Sequence, residues 1–300
     1  MTDGEDDSDP IPATVNASAA SILMTVMYAA RMARIDLLRA VGNLARKLTK
    51  WGPVEDKKLR RLMEYINGSQ NERLTGFIGD QKKDLVLRLF TDADFAGDRS
   101  DAKSTSGIFL ALVGPHSFFP LAAQSKKQTS VSHSSAESEI VAANCAVREI
   151  GLPAKDLWEV LLKRKDVPLE LYEDNQSTSQ MMELGKFPTL RHVQRTHGIN
   201  TTWLSDCLKR TFFCVKGCHT DRQAADIFTK YFINGDKWNY ALEMLGFISE
   251  EKSLSHKHPA QFATVIAPLR IASAVREKVD ENTCEEFNNT LHFSLSIPGN

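Results

Sequence analysis

The sequence predicts an α/β protein built on a mixed sheet, and two observations carry this prediction. After about residue 80 the apolar positions stop recurring at helical spacing and form short runs of strand length. The predicted elements then follow the order β-β-β-α-β-α-α-β-α, in which strands alternate with helices as in α/β architectures. With 300 residues, of which 42% are hydrophobic, the chain can form one or two domains with a buried core.

The residues before the sheet predict a helical hairpin. Residues 1–16 are acidic, contain two prolines and few large apolar side chains, and are expected to be disordered. A first helix runs from residue 17 to about residue 49, where a Trp-Gly-Pro sequence ends it. A second helix follows and ends at Asn67-Gly68, a typical stop sequence. We therefore assign residues 17–80 to a helical segment whose apolar stripe packs on the domain that follows.

The start of the first helix also raises the question of a membrane span, because residues 13–30 carry no charge. Serine, threonine and asparagine side chains interrupt this run, and it falls short of the roughly 20 strongly apolar residues that a span needs. A buried amphipathic helix is the better interpretation, and no membrane contact is expected.

The main domain is assigned to residues 81–248. Strands are predicted at residues 85–91, 106–113, 117–123, 168–172 and 211–215. Helices are predicted at residues 134–162 with an interruption near Gly151, and at residues 176–184, 203–208 and 223–232. Residues 249–300 show weak periodicity and are assigned to a weakly structured tail.

Charge and cysteine content limit the possible settings of the protein. The formal net charge is −1, so affinity for nucleic acid would need a local basic patch rather than bulk charge. The chain has five cysteines, an odd number, and its acidic first residues have the wrong sign for a signal peptide. Reduced thiols in an intracellular setting are therefore expected.

Four acidic residues stand at the ends or starts of predicted elements. Asp92 and Asp174 each follow a predicted strand, whereas Glu139 and Asp226 lie on predicted helices. Acids in this arrangement can converge above one edge of a sheet, and carboxylate oxygens are the ligands that Mg²⁺ prefers. Two such ions can hold the attacking and leaving oxygens of a phosphodiester, so the pattern predicts a two-metal nuclease.

Five blocks of sequence, in order, resemble the ribonuclease H domain of copia-type LTR retrotransposon Pol polyproteins. They cover a chain region from about residue 20 to residue 248, and the helical hairpin resembles the segment that follows the reverse transcriptase in these polyproteins. The blocks are Thr91-Asp92-Ala93-Asp94-Phe95-Ala96-Gly97-Asp98 with Lys103-Ser104-Thr105-Ser106-Gly107, Gln124-Ser125-Lys126-Lys127-Gln128, Ser134-Ser135-Ala136-Glu137-Ser138-Glu139-Ile140, Asp174-Asn175-Gln176-Ser177-Thr178 and Ala225-Asp226-Ile227-Phe228-Thr229-Lys230.

The resemblance implies a ribonuclease H-like fold, in which three antiparallel strands are continued by two parallel strands and helices flank the five-stranded mixed sheet. It also implies endonucleolytic hydrolysis of the RNA strand of RNA–DNA hybrids with two Mg²⁺ ions, for which Mn²⁺ can substitute. The catalytic and metal-binding residues would be Asp92, Glu139, Asp174 and Asp226. Besides the hybrid, a reverse transcriptase domain of the same polyprotein is the expected partner.

Other polar residues are candidates for contact with the hybrid. Lysines can bind phosphates, and hydroxyl or amide groups can reach the 2′-hydroxyls that distinguish RNA from DNA. The candidate substrate-binding residues are Ser104, Thr105, Lys126, Lys127, Asn175, Gln176 and Ser177.

Two neighbouring acids need to be distinguished from the four. Glu137 and Glu139 are two residues apart, so on a helix only one can face Asp92. Glu139 is followed by the apolar residues that should face the sheet, and it is the preferred ligand, whereas Glu137 serves the helix N-terminus. Glu173 should point to the face opposite Asp174, because strand side chains alternate.

Several alternatives stay open. A catalytically weak, nucleic-acid-binding relic of a Pol polyprotein is the second hypothesis, since the family's Arg-Thr-Lys-His-Ile block is Arg195-Thr196-His197-Gly198-Ile199 here. A transposase or integrase of the same fold is disfavoured because its third acid would be a glutamate. His219 is either a mobile histidine that assists product release or a plain loop residue. A zinc set is a further, weaker alternative, formed by His192, His197, Cys214 and Cys218.

Overall fold

The computed structural model describes residues 13–98, 101–187, 190 and 192–249. Residues 1–12 of the predicted disordered segment and residues 250–300 of the predicted tail lie outside the described residues, as does Cys284. Residues 13–16, which were also predicted to be disordered, instead form the start of the first helix. Nine α-helices are present in the described ranges: α1 Ala13–Met32, α2 Leu38–Ala45, α3 Pro53–Gly68, α4 Ser135–Ala146, α5 Leu152–Leu162, α6 Gln176–Leu184, α7 Val193–His197, α8 Thr201–Leu208 and α9 Gly235–Leu245.

The main sheet is mixed and has six strands. Eight strands are present in the described ranges: β1 Glu72–Leu74, β2 Phe77–Ile78, β3 Val86–Asp94, β4 Thr105–Gly114, β5 Ser117–Lys127, β6 Leu169–Glu173, β7 Phe213–Gly217 and β8 Phe247–Ser249. The order in the main sheet is β2-β5-β4-β3-β6-β7. Strands β5, β4 and β3 pair antiparallel, and β6 and β7 continue from β3 as parallel strands.

The predicted ribonuclease H-like architecture is confirmed, with one difference in strand count. The three antiparallel and two parallel strands are those expected, and β2 adds a sixth strand at the edge beside β5. A two-residue strand is too short to show a periodic pattern, which is why the sequence did not predict it.

The sheet buries both of its faces, because strand side chains alternate between them. On one face Leu89 and Ile108 pack with Ile140 of α4, and this cluster extends to α5 and α8. On the other face Phe90 and Phe109 share a cluster with α1, α2 and α9. The N-terminal helices therefore cover one side of the sheet, as their apolar stripe predicts.

The predicted single helix over residues 17–49 is in fact two helices, which corrects the prediction. The chain turns between α1 and α2, where the buried carboxylate of Asp36 accepts hydrogen bonds from the Arg34 guanidinium at 2.8 and 3.0 Å. The Tyr65 hydroxyl of α3 donates a third bond to it at 2.8 Å. This polar contact connects the turn to α3.

Among the helices in the described ranges, none is long and apolar enough to cross a bilayer.

Several further elements differ from the prediction. The interruption near Gly151 is a π-helical turn, Val147–Gly151, which connects α4 directly to α5. The predicted helix over residues 223–232 is a short 3-10 turn, Ala224–Phe228. Helix α9, which begins after its cap Asn234, was not predicted.

A small antiparallel sheet connects the two ends of the domain. Strand β1 pairs with β8, so that Glu72 lies opposite Ser249 and Leu74 opposite Phe247. Between these strands, the Phe247 side chain is almost fully buried in the cluster that also contains α1 and α2. The helical segment and the end of the main domain are thus held together by backbone hydrogen bonds and by a shared core.

Replacement of Leu23 by alanine tests whether α1 belongs to the core. Leu23 is fully buried in the cluster on the sheet's second face, so Leu23→Ala should lower the free energy of unfolding by about 2–5 kcal/mol. Met24, the next residue, is 51% exposed, and Met24→Ala should change it by less than about 1 kcal/mol. Denaturant unfolding measures both values. Equal effects would show that α1 does not pack on the domain.

Candidate active site

Two parallel strands bring the first two aspartates together. Asp92 lies near the end of the central strand β3, and Asp174 directly follows its parallel neighbour β6. The register pairs Phe90 with Tyr172, so both carboxylates lie at the same end of the sheet. Ligand oxygens of Asp92, Asp174 and Asp226 all lie within 4.8 Å of one another. We call these three residues the aspartate cluster.

The turn that carries Asp226 is held against the sheet by side-chain contacts. The buried Gln223 amide donates a hydrogen bond to the carbonyl of Thr91 at 2.8 Å. The Ser125 hydroxyl of β5 donates to the carbonyl of Phe228 at 2.7 Å. Gly107 of β4 permits the close approach, because a Cβ there would lie 2.8 Å from the carbonyl oxygen of Ala225. These contacts place Asp226 above the end of β3.

A threonine and a lysine that follow Asp226 contact the aspartate cluster. The buried Thr229 hydroxyl donates a short hydrogen bond to Asp92. The Lys230 ammonium lies 2.7 Å from the Asp226 carboxylate, 3.6 Å from Asp92 and 3.9 Å from Asp174. Lys230 belongs to one of the motif blocks, but no role was predicted for it from the sequence. Its spacing of four residues from Asp226 is the pattern that could have identified the ion pair.

Burial and the charges of neighbouring acids raise the pKa of two members of the aspartate cluster, Asp226 and Asp92. Burial, followed by the charge of Asp92, raises the pKa of Asp226 to about 7 from its ordinary value of 3.8. Burial also raises the pKa of Asp92, although Lys230 and Thr229 act in the opposite direction. A cluster that resists ionisation without a cation is suited to binding one.

Glu139 lies beside the aspartate cluster rather than within it. It sits in the first half of α4, is 5% exposed, and its Oε2 atom has no hydrogen-bond partner although it is buried. Burial, then the charges of Glu173, Asp92 and Asp174, raise its pKa to about 11. A buried carboxylate oxygen without a donor is costly, and a bound cation is one way to satisfy it.

Glu173 is a fifth acid near the site, and its influence on the other acids was not predicted from the sequence. It accepts a hydrogen bond from Thr91 at 3.3 Å, which puts it on the α4 side of the sheet, away from the face of Asp174 as alternation predicts. It is fully buried, and its pKa is raised to about 8, chiefly by burial. Glu139 lies on the same side of the sheet. Glu173 therefore lies near the site, although it points away from the face of Asp174 as predicted.

Glu137 has a larger structural role than the predicted one. Its backbone N–H bonds to Ser134, as expected near a helix N-terminus. Its fully buried carboxylate accepts the N–H of His133 at 2.9 Å and lies 3.1 Å from ring nitrogens of both His192 and His197. These contacts join α4 to α7 and lower the pKa of Glu137, although burial, the largest influence, acts to raise it.

The zinc set that the sequence left open is not assembled. Within the described part of the chain, the aspartate cluster is the one group of three or more side chains close enough to share a metal ion. His192 and His197 contact Glu137, whereas Cys214 is exposed. Cys218 lies beside the acids instead, where its backbone N–H donates to the carbonyl of Glu173 at 2.9 Å. Burial, followed by the charges of Asp174 and Glu173, raises the pKa of its thiol to about 12.

The candidate substrate-binding residues divide by exposure. Lys126, Gln176 and Ser177 are exposed, although the Lys126 ammonium lies 3.1 Å from Glu149. The other candidates already have structural partners. Ser104 and Thr105 are buried, Lys127 pairs with Asp98 and Asp101, and Asn175 caps α6.

His219, the candidate product-release histidine, is largely exposed and contacts Asp221 at 3.4 Å. Asp94, which follows Asp92 in the first motif block, accepts a hydrogen bond from the backbone N–H of Thr105. Burial, the largest influence, raises the pKa of Asp94 to about 6.

The chain is similar to several known proteins, although no family profile and no solved structure matches it. It is 28% identical to the retrovirus-related Pol polyprotein from transposon TNT 1-94 of Nicotiana tabacum over 230 residues, which cover 76% of the chain and 16% of the polyprotein. It is 34% identical to the retrovirus-related Pol polyprotein from transposon RE1 of Arabidopsis thaliana over 108 residues, 35% of the chain and 7% of the polyprotein. It is 32% identical to the secreted RxLR effector protein 161 of Plasmopara viticola over 134 residues, 45% of the chain and 89% of the effector.

The strand order and the acids at the end of the sheet define a protein of the ribonuclease H-like class. The similarities point more narrowly to one group of proteins: the chain resembles the retrovirus-related Pol polyproteins of copia-type plant transposons at modest identity. This agrees with the family that the five motif blocks predict. The chain spans less than a fifth of the length of the Pol polyproteins named above.

The raised pKa of Asp226 predicts how stability changes with pH in the absence of metal. Between about pH 4 and pH 7 the folded protein keeps a proton on Asp226 that the unfolded chain has lost, so stability falls as the pH rises through this window. Asp226→Asn removes this contribution. In EDTA, the free energy of unfolding of the variant relative to that of the wild type should increase by about 1–2 kcal/mol as the pH is raised from 4 to 8.

Thermal unfolding at several pH values measures the difference between the two proteins. Asp206→Asn on α8 is the control, because Asp206 is exposed. Its curve should follow that of the wild type. A constant difference between Asp226→Asn and wild type at all pH values would contradict the prediction.

Proposed function

We propose that this chain is a retrotransposon-derived ribonuclease H that hydrolyses the RNA strand of RNA–DNA hybrids. The observation that carries the proposal is the group of acids at one end of the sheet: the aspartate cluster within 4.8 Å, with the buried, unpartnered Oε2 atom of Glu139 beside it. The similarity to Pol polyproteins adds support, because reverse transcription by a Pol polyprotein produces RNA–DNA hybrids.

The acids fit divalent metal ions. Four carboxylates supply only oxygen, which suits Mg²⁺ and also Mn²⁺, and a set of this charge suits two ions. Asp92, Asp174, Asp226 and Glu139 would hold them. When bound, such ions supply a water of lowered pKa and stabilise the negative charge of the leaving oxygen.

The chain's own residues would organise the site. The hydrogen bond from Gln223 to β3 and the one from Thr229 to Asp92 fix the geometry of the aspartate cluster before substrate arrives. Exposed groups near the ends of β5 and β6 would bind the hybrid: Lys126 a phosphate, and Gln176 and Ser177 the 2′-hydroxyls. Such contacts orient the scissile bond without taking part in the chemistry.

The second hypothesis, a binding relic without catalysis, also has an observation in its favour. His197 replaces the family's lysine and contacts Glu137, two residues before Glu139. A change at this position can alter the orientation of α4 and hence of the Glu139 carboxylate. Binding of hybrid without cleavage would support this hypothesis.

A cleavage assay decides between the hypotheses. The purified protein is incubated with a labelled RNA–DNA hybrid in Mg²⁺, in Mn²⁺ and in EDTA, with duplex DNA and single-stranded RNA as controls. Cleavage of the RNA strand of the hybrid, only with a divalent ion, is the expected result. Metal-independent cleavage, or equal cleavage of single-stranded RNA, would reject the proposal.

Replacement of one aspartate tests the site itself. Asp174→Asn keeps the size of the side chain but removes a charged ligand, so hybrid cleavage should fall by about 100-fold or more. Hybrid binding should change little, because phosphate contacts dominate affinity. The matched control is Asp206→Asn, which lies on α8 and should cleave like the wild type. Equal cleavage by wild type and Asp174→Asn would show that the activity lies elsewhere or comes from a contaminant.

A further inference from the structure

The Lys230 ammonium lies where a cation bound by the aspartate cluster would be expected. It is within 4 Å of a carboxylate oxygen of each member, and the contact with Asp226, 2.7 Å, is of hydrogen-bond length. In the part of the chain that the structure describes, the other lysines with ion pairs contact one or two acids, for example Lys216 with Glu170. Lys230 is thus positioned to neutralise the cluster as a whole.

Neutralisation is needed because the cluster carries a large formal negative charge in a buried place. Asp92 is 2% exposed and Asp226 is 9% exposed, so water screens their repulsion weakly. One ammonium offsets part of this charge. A divalent ion held by the same oxygens would offset more of it, and its charge would repel the ammonium across a few ångströms.

The ammonium can leave without disturbing the backbone. The backbone N–H of Lys230 bonds to the carbonyl of Asp226 at 2.7 Å, which holds the chain in place. The Lys230 side chain is 39% exposed and has four flexible methylene groups. Rotation of its torsions would carry the charge into solvent. The Thr229 hydroxyl, in contrast, is buried and stays on Asp92.

We propose that Lys230 is a built-in counter-cation, which stabilises the aspartate cluster in the metal-free protein and competes with divalent ions for its oxygens. The identity of the competing ion rests on the proposed function. Lys230 would therefore set the concentration of metal at which the site fills, and it would keep the acids close together when no metal is bound.

Lys230→Met tests this proposal, because it keeps the apolar stem and removes the charge. Titration calorimetry with Mn²⁺ and with Mg²⁺ should show binding that is tighter by roughly five- to tenfold than in the wild type, as for the loss of one partly buried ion pair. In EDTA the thermal midpoint of Lys230→Met should be lower than that of the wild type, and saturating Mn²⁺ should reduce or reverse the difference.

Two further variants serve as controls. Lys216→Met removes a lysine that pairs with Glu170 on β6, outside the cluster, and should leave metal affinity unchanged. Lys230→Gln keeps a hydrogen-bond donor for Asp226, and its metal affinity should increase like that of Lys230→Met. The proposal can therefore be tested with this variant even if Lys230→Met does not fold.

The outcomes separate this inference from the proposed function. Equal or weaker metal binding by both Lys230 variants would overturn the counter-cation role, even if the wild type cleaves hybrid. Tighter binding by the variants, together with a wild type that does not cleave, would support the role of Lys230 and reject the nuclease. Absence of metal binding in all the proteins would overturn both.

Discussion

The parallel pairing of β3 with β6 is the interaction on which the rest of the site depends. It sets Phe90 opposite Tyr172 and stacks their rings at 4.9 Å, and the next residues on that face are Asp92 and Asp174. A shift of one residue in this register would turn one carboxylate to the other face. The aromatic pair thus fixes the register, and the register brings the two acids together.

The other acids are brought in by elements that pack on opposite faces of the sheet. Helix α4 carries Glu139 on one face, and the 3-10 turn carries Asp226 on the other. Both elements are anchored by polar contacts. The side-chain amide of Gln128, which follows β5, donates to the carbonyl of Ser138, and that of Gln223 donates to the carbonyl of Thr91. Both bonds are buried, so their loss would leave unsatisfied groups. The site is therefore a junction of two faces, which explains why its acids are far apart in the sequence.

Much of this arrangement could be predicted because it follows from patterns along the chain. Short apolar runs predicted the strands. Because Asp92 and Asp174 each stand at the end of such a run, both could be assigned to one end of the sheet. The motif blocks supplied the order of the strands. Helix α6 was predicted with its observed bounds because the cap Asn175 and the terminal Gly185 mark both of its ends.

The remainder depends on contacts between distant residues, which periodicity does not reveal. The break between α1 and α2 follows from the bonds of Asp36 with Arg34 and Tyr65, and the last of these is 29 residues away in the sequence. The contact of Glu137 with His197 spans 60 positions, and no local pattern marks it. The buried position of Ser104, one of the candidate substrate-binding residues, likewise depends on how the neighbouring strands pack.

The pairing of β1 with β8 has a mechanical consequence. The chain enters this ladder at Glu72 and leaves it at Ser249, and these two residues face each other at the same end of the ladder. Tension applied at these two residues would therefore separate the strands one pair at a time rather than shear all three pairs at once. A pull on the chain before Glu72 would act differently, because it would also load the packing of α1 and α2 on the six-stranded sheet.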